Sequence, residues 1–227
     1  MVQVPRRTGF SGSTLVRLLA RLTDIDVADS KRSFTDRLSQ WLGWTDAITL
    51  SSVLSGDGAM VSTAPTAAPR PRASGAAPGN EEAECTRVRA LLVTAINGDL
   101  TPARNAATGT TTDFAPYRRR YVARQQAMET SIAGLRKRVR AALATRSPAM
   151  AQLAALDAVM EQALTAQEQR LLATVPGLLE KYFKRLAHGE PGAWQDTFGK
   201  DMQSVLLAEL EIRLQPVEGL LEALRET

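Results

Sequence analysis

Two side chains in this sequence carry nucleophile and base chemistry, Cys85 and His188, and each is the only one of its kind among 227 residues. A Cys–His dyad would need them to meet across more than a hundred intervening positions. Cys85 stands near the start of a predicted helix, where a thiolate is favoured. His188 stands at the end of another, where an imidazolium suits the helix dipole. The simpler expectation is a half-buried helix cysteine and a helix-terminal histidine. One Cys excludes a disulfide framework and any multi-cysteine metal site, and one His excludes a His-rich centre. The run Asp24-Ile25-Asp26-Val27-Ala28-Asp29 is spaced like the opening of a calcium loop. Asp29 stands where such a loop needs Gly, however, and Thr35 where it needs a bidentate Glu. These acids are expected in a turn between helices. Gly9-Phe10-Ser11-Gly12-Ser13 precedes a helix and has the makings of an anion cradle. It lacks the Gly-Lys-Ser/Thr ending of a phosphate loop and follows no strand. No catalytic residue, cofactor-binding residue or metal ligand is assigned, and the chain is not read as an enzyme.

The strongest chemical signal is basic. Residues 117–146 hold nine Lys or Arg and one acid, in a chain whose formal net charge is +4. Arg118, Arg119, Arg120 and Arg124 form one cluster, and Arg136, Lys137, Arg138 and Arg140 form a second. The clusters are offset by five helical turns, about 27 Å, and so share an angular register. Tyr117 and Tyr121 flank the first cluster, which invites a nucleic-acid reading with phosphate contacts and base stacking. Two features weigh against it. Both tyrosines fall on an apolar stripe, and the arginines surround the helix as a collar. Residues 147–227 carry seven basic and twelve acidic groups, enough to neutralise the collar within the chain or across a dimer. Charge pairing inside the chain or with a partner protein is therefore favoured; nucleic acid is the alternative, and anionic lipid comes third.

These residues need elements to hold them, and the periodicity is helical throughout. No long β-branched alternation and no hairpin turn signal occurs, so the expected fold class is all-α. Near the N-terminus three short amphipathic helices are expected. The first carries Leu15, Leu18, Leu19 and Leu22 behind Ser11 or Ser13; the second carries Phe34, Leu38, Trp41 and Leu42 behind Ser33 and stops at Gly43. The third carries Ile48, Val53 and Leu54 behind Thr45. They bury one another or dock on something larger. Asp57–Asn80 has four prolines among small residues and almost nothing apolar after Val61, the composition of a flexible linker. Beyond it, Val88, Leu91, Leu92 and Ile96 mark a helix from Asn80 to Gly98, and residues 99–112 read as loop.

The longest periodic run spans 113–146, with Phe114, Tyr117, Tyr121, Met128, Ile132, Leu135, Val139 and Leu143 on one line. Its steps of four, three and four from 128 to 139 are coiled-coil spacing. Ser147-Pro148 caps and opens the next helix, carrying Leu153, Leu156, Met160, Leu164 and Leu171. Pro176 bends or restarts it, and Leu178, Leu179, Tyr182, Phe183 and Leu186 continue to His188-Gly189. The last run is Phe198, Met202, Leu206, Leu210, Leu214, Val217, Leu221 and Leu224, with a kink expected at Pro216. The organisation is a small helical module over 1–56, a linker over 57–80, and an elongated long-helix bundle over 81–227.

Composition agrees with a folded chain: 44% hydrophobic, 23% charged, only 5% aromatic. No run of about 18 apolar residues occurs, so no transmembrane helix is expected. Arg6-Arg7 superficially suggests a twin-arginine signal. Arg17 and Arg21 interrupt the stretch that should be apolar, and no small-residue cleavage site follows. With a lone cysteine, the reducing cytoplasm is the expected compartment.

Several segments resemble an uncharacterised bacterial family known only as a domain of unknown function. They are Pro5-Arg6-Arg7-Thr8-Gly9-Phe10, the run from Phe34 to Ala47, Tyr117-Arg118-Arg119-Arg120-Tyr121, and the region of Trp194. The resemblance carries over no activity, cofactor or catalytic residue. It implies that relatives are encoded beside envelope proteins with proton-channel-like and peptidoglycan-binding domains, and hence a cytoplasmic accessory to an envelope assembly. The expectation is a non-enzymatic helical adaptor or scaffold with a protein partner or a second copy of itself. The helix that opens at Ser147-Pro148 can cover one long apolar stripe as an antiparallel neighbour within the chain; the stripes would further build a homodimer or an obligate complex, with Trp41 and Trp44 a separate docking element. A nucleic-acid-binding protein using the basic helix is the alternative.

Overall fold

A computed structural model describes residues 13–24, 34–55, 80–98, 113–189 and 194–226. Eight helices occur among them: α1 Thr14–Thr23, α2 Phe34–Trp41, α3 Trp44–Leu54, α4 Asn80–Gly98, α5 Ala115–Ala144, α6 Pro148–Leu172, α7 Val175–Ala187 and α8 Trp194–Arg225. No strand is present among the described residues, so the fold is all-α. The expected linker and the 99–112 loop lie outside the described residues except for Asn80, which opens α4 instead of capping it. The Gly9–Ser13 cradle lies outside them too, apart from Ser13.

The two long apolar stripes bury each other. Phe114, Tyr121, Met128, Ile132, Leu135, Val139 and Leu143 of the α5 stripe are all buried, as are Phe198, Met202, Leu206, Leu210, Leu214, Val217 and Leu221 of α8. The two helices run parallel. Tyr117 meets Phe198 ring to ring at 5.1 Å, and farther along both helices Tyr121 meets Glu209. α6 runs antiparallel to α5, as Gln125 reaches the Leu172 carbonyl at one end and Arg136 reaches Asp157 at the other. α4 runs antiparallel to α8, with Glu82 on Arg225, Arg89 on Glu218 and Asn97 on Gln203. The buried positions of the α5 and α8 stripes are covered within the chain. A stripe needs a partner helix, and the chain provides it internally.

Two serine caps follow the sequence, whereas Thr45, expected to cap α3, lies inside it: Gly43 is the N-cap, because its amide is taken by Asp46. The Ser13 hydroxyl accepts from the Val16 amide, and the Ser147 hydroxyl accepts from the Met150 amide at 3.2 Å, with Pro148 in the first turn. Thr174 and Pro176 restart the chain as α7 after a two-residue break. α8 passes through Pro216 without interruption. Asp24 ends α1 in the left-handed region at φ 56°, a conformation that Asp tolerates better than most residues. It is an acid in a turn, as expected; the rest of that run lies outside the described residues.

Two apolar positions differ from the expected stripes. Leu91 is exposed: the buried line of α4 is Cys85, Leu92 and Ile96, with Val88 half-buried, and Leu91 lies about 100° off it. Leu171 is exposed and Leu172 is buried in its place, where Gln125 binds the Leu172 carbonyl and fixes the last turn of α6. The short N-terminal helices dock on the bundle. α1 buries Leu15 and Leu22 against α7 and α8, whereas α2 and α3 lie against α6.

Candidate interaction surfaces

Cys85 and His188 do not meet. Cys85 is buried in α4 among Arg89, Glu218, Glu82 and Arg225, near the C-terminal end of α8, and burial pushes its thiol up. His188 caps α7, which packs Phe183 on Trp194 and Phe198 near the start of α8. Most of the length of α8 separates them, so no dyad forms. The His188 ring contacts the Lys184 carbonyl instead. Among the described residues no group of three His, Cys, Asp or Glu converges in a way that could hold a metal ion.

The arginine collar divides into two halves with different fates. In the second cluster, Arg136 donates from Nε to Asp157 at 2.8 Å, and Arg140 donates from Nη1 to Asp157 at 3.1 Å and also to Glu161. Both arginines are largely buried in the α5–α6 seam. Desolvation works against the Arg136 charge, yet Asp157 and Glu161 outweigh it and hold its guanidinium above its ordinary value. Arg138 pairs with Glu84 of α4. Hydrogen bonds from Arg87 and Arg138 hold the Glu84 carboxyl down to about 2. This half of the collar is structural, and its acids come from α6 and α4. Lys137 alone is exposed there without an acidic partner among the described residues.

The first cluster is different. Arg120 and Arg124 each have an interaction partner. Arg118 and Arg119 are exposed and have no acidic partner among the described residues. They project beside an aromatic cluster in which Phe114, Tyr117, Tyr182, Phe183, Trp194 and Phe198 pack with centroids 5.0–6.1 Å apart. Tyr117 is part of that packing, so its ring is not a free stacking platform. The cluster brings α7 and the start of α8 to the same end of the bundle, and with them the exposed Lys181 and Lys200. The acids of this end are mostly engaged: Asp201 accepts from Tyr182 at 2.5 Å and pairs with Arg21, and Glu180 pairs with Lys184. Asp196, exposed in the first turn of α8, is the acid left over, and among the described residues Arg118, Arg119, Lys181 and Lys200 outnumber it.

Trp41 and Trp44 occupy the α2–α3 hairpin. The Gly43 amide donates to Asp46 at 3.1 Å and sets the turn between the two helices. Trp44 is 83% exposed, Ile48 55% and Leu54 58%. Leu50 and Val53 face the other way and are half-buried, and Gln152 of α6 donates to the Val53 and Leu54 carbonyls at 2.9 and 3.2 Å. Neither helix contributes a fully buried side chain among the described positions.

One polar site was invisible in the sequence. Glu209 of α8 has no solvent exposure. Its carboxylate accepts from the Tyr121 hydroxyl at 2.7 Å, from Gln125 Nε2 at 3.1 Å and from Arg213 Nε at 3.0 Å. Arg213 in turn reaches Glu168 of α6 at 3.1 Å. Burial and the Glu209 charge hold the Tyr121 hydroxyl well above its ordinary value. Every group is partnered, so the network locks α5, α6 and α8 together and has no vacant coordination to offer.

No helix of the described residues is long and apolar enough to cross a membrane. No curated protein and no solved structure matches the chain. A family model does match, over residues 1–226, and its description is "Protein of unknown function (DUF3348)". With all but the last residue covered, the chain belongs to that family.

Proposed function

We propose that the protein is a non-enzymatic helical adaptor, acting in the cytoplasm, that holds an acidic protein surface at the bundle end where Arg118 and Arg119 project. The division of the collar carries this reading. Arg136, Arg138 and Arg140 are consumed by Asp157, Glu161 and Glu84, whereas Arg118 and Arg119 have no acid of their own among the described residues. A guanidinium on a rigid helix can take a carboxylate through two parallel hydrogen bonds, and such charge-assisted contacts are the stronger kind. Lys181 and Lys200 add to the field that would steer an acidic partner in. Nucleic acid is the weaker reading. Of the eight collar residues only Arg118, Arg119 and Lys137 have no acidic partner among the described residues, and Lys137 lies about 27 Å along the helix. Two or three phosphate contacts give little affinity at physiological salt.

The decisive experiment replaces Arg118→Glu and Arg119→Glu together. Both side chains are exposed, so helicity and thermal stability should hold, and an acidic partner recovered with the native protein should be lost. Sub-micromolar binding of duplex DNA or RNA at about 150 mM salt, abolished by the same pair, would overturn this reading in favour of nucleic acid.

A further inference from the structure

α6 is joined to the bundle in a different way from its neighbours. Its 25 residues bury only Ala154 and Leu172, whereas the 30 residues of α5 bury six apolar side chains. Leu153, Leu156, Met160 and Leu164 of its expected stripe are half-buried, and of these Leu153 packs against the buried core. An amphipathic helix ordinarily holds its place by an apolar stripe. Midway along α6, charge takes that part.

Asp157 and Glu161 stand one turn apart on α6 and take Arg136 and Arg140, one turn apart on α5. The two diagonal pairs are made as well, Arg140 to Asp157 at 3.1 Å and Arg136 to Glu161 at 3.7 Å. Two guanidiniums held by two carboxylates are an internal copy of the contact that an acidic protein would make. Charges withdrawn from water cost nearly as much as their pairing returns, so such a seam is held less firmly than an apolar one. The two ends of α6 are held otherwise. Its start follows α5 after the Thr145-Arg146 turn. At its end Leu172 is buried, Gln125 binds the Leu172 carbonyl, and Arg213 binds Glu168.

We infer that α6 is an acidic strap over a second anion-binding face, Arg136 with Arg140 on α5, and that local opening of its middle turns presents this face to the carboxylates of an acidic protein. The strap is an autoinhibitory contact, since Asp157 and Glu161 occupy the guanidiniums that an outside carboxylate would use. The middle of α6 opens while α5 and α8 stay closed, because their shared apolar seam does not include it.

The native chain binds through this face only for the fraction of time that the strap is open, and its affinity there is lowered by that fraction. The class of ligand rests on the acidic-partner reading of Arg118 and Arg119. The strap does not, because it is built from other residues, and the two surfaces are tested by different variants.

Amide hydrogen exchange of the full chain, with binding of poly-L-glutamate as the acidic probe, tests it. Asp157→Asn with Glu161→Gln should speed exchange in the middle of α6 by roughly tenfold or more and leave α5 and α8 protected. The same variant should bind the probe roughly tenfold tighter at about 150 mM salt. Adding Arg136→Gln and Arg140→Gln should remove that gain. Glu81→Gln with Glu226→Gln makes the same change of net charge away from the strap and should leave both readouts at the native level. The gain should survive Arg118→Glu with Arg119→Glu, so failure of the arginine end and failure of the strap are read separately. Unchanged exchange in α6 overturns the strap. Faster exchange without tighter binding overturns the second face, as does an equal gain in the Glu81 and Glu226 control. If the double variant loses protection in α8, Glu161→Gln alone decides by the same readouts.

Discussion

At the scale of single residues, Glu209 sets the stakes of the core. A carboxylate without solvent contact is tolerable only while its lone pairs are filled, and Tyr121, Gln125 and Arg213 fill them. Glu209→Ala would leave a phenol, an amide and a guanidinium without their acceptor and should cost about 3–5 kcal/mol. Tyr121→Phe removes one donor of three and should cost about 1–2 kcal/mol. Urea denaturation followed by circular dichroism measures both. The α5 stripe correctly places Tyr121 in the core, since periodicity reports burial. It is silent on why the residue is Tyr and not Phe, because the hydroxyl's partner lies 88 positions away in sequence. The same distance explains why the arginine collar divides as it does: sequence reveals a surplus of cations, and only the register of α5 against α6 and α4 decides which are used.

Tyr182 and Glu84 each contribute to the response to pH. Burial, with Asp201 beside it, pushes the Tyr182 hydroxyl up to about 12. Its pKa is raised on folding, so its stabilising contribution is fully present below the ordinary value of 10 and is lost as pH rises from there to about 12. Tyr182→Phe should therefore flatten the alkaline limb of a stability-versus-pH curve between about 10 and 12. Glu84 behaves in the opposite sense. Held down to about 2 by Arg87 and Arg138, it contributes above its ordinary 4.5 and loses that contribution as pH falls from 4.5 to about 2. Glu84→Gln should leave the alkaline limb untouched and lessen the steepness of the acid one.

Among the elements, the helices were legible where caps and periodicity agree. Ser147-Pro148 fixes the start of α6, and Ser147→Ala should lower stability by about 1 kcal/mol, readable as a drop in Tm. The α2–α3 hairpin was legible as helices but not in its placement. Leu50 and Val53, both half-buried, turn towards α6, and Gln152 of α6 donates to the hairpin's carbonyls. Sequence gives no hint of that last contact, since a glutamine on a helix face is ordinarily solvated. Gln152→Ala should raise amide exchange in 44–54 and leave α5 and α8 protected, because the hairpin opens without disturbing the stripes. Equal loss of protection in α5 would mean that the hairpin and the bundle open as one unit.

For the whole molecule, the pairing of the two long stripes is the main stabilising feature. Leu135, 1% exposed, lies on the buried α5 stripe. Leu135→Asp places a charge in that seam and should cost more than about 4 kcal/mol, enough to unfold the bundle by circular dichroism. Periodicity identified both stripes. The direction of their pairing was beyond it, because an apolar line reads the same way up or down and only the ends distinguish parallel from antiparallel. Tyr117 on Phe198 at one end settles it, through aromatic residues that look like ordinary core in a linear reading.

The seat of α1 also governs how the chain acquires its fold during synthesis. Among the described residues Leu15 and Leu22 pack chiefly against α7 and α8, and the Arg185 side chain that donates to the Leu22 carbonyl comes 163 residues later. At roughly 5–20 residues per second, a ribosome needs about 10–30 s to reach that point. Throughout that time the first helix has been made and the surface that receives it has not. An exposed Leu15–Leu22 ridge on a nascent chain is a natural target for holding factors. It also makes α1 settle late, on helices that the ribosome makes long after it. A ribosome-stalled chain ending before α7 should therefore lose its N-terminal segment to a protease that spares the same segment in the released protein.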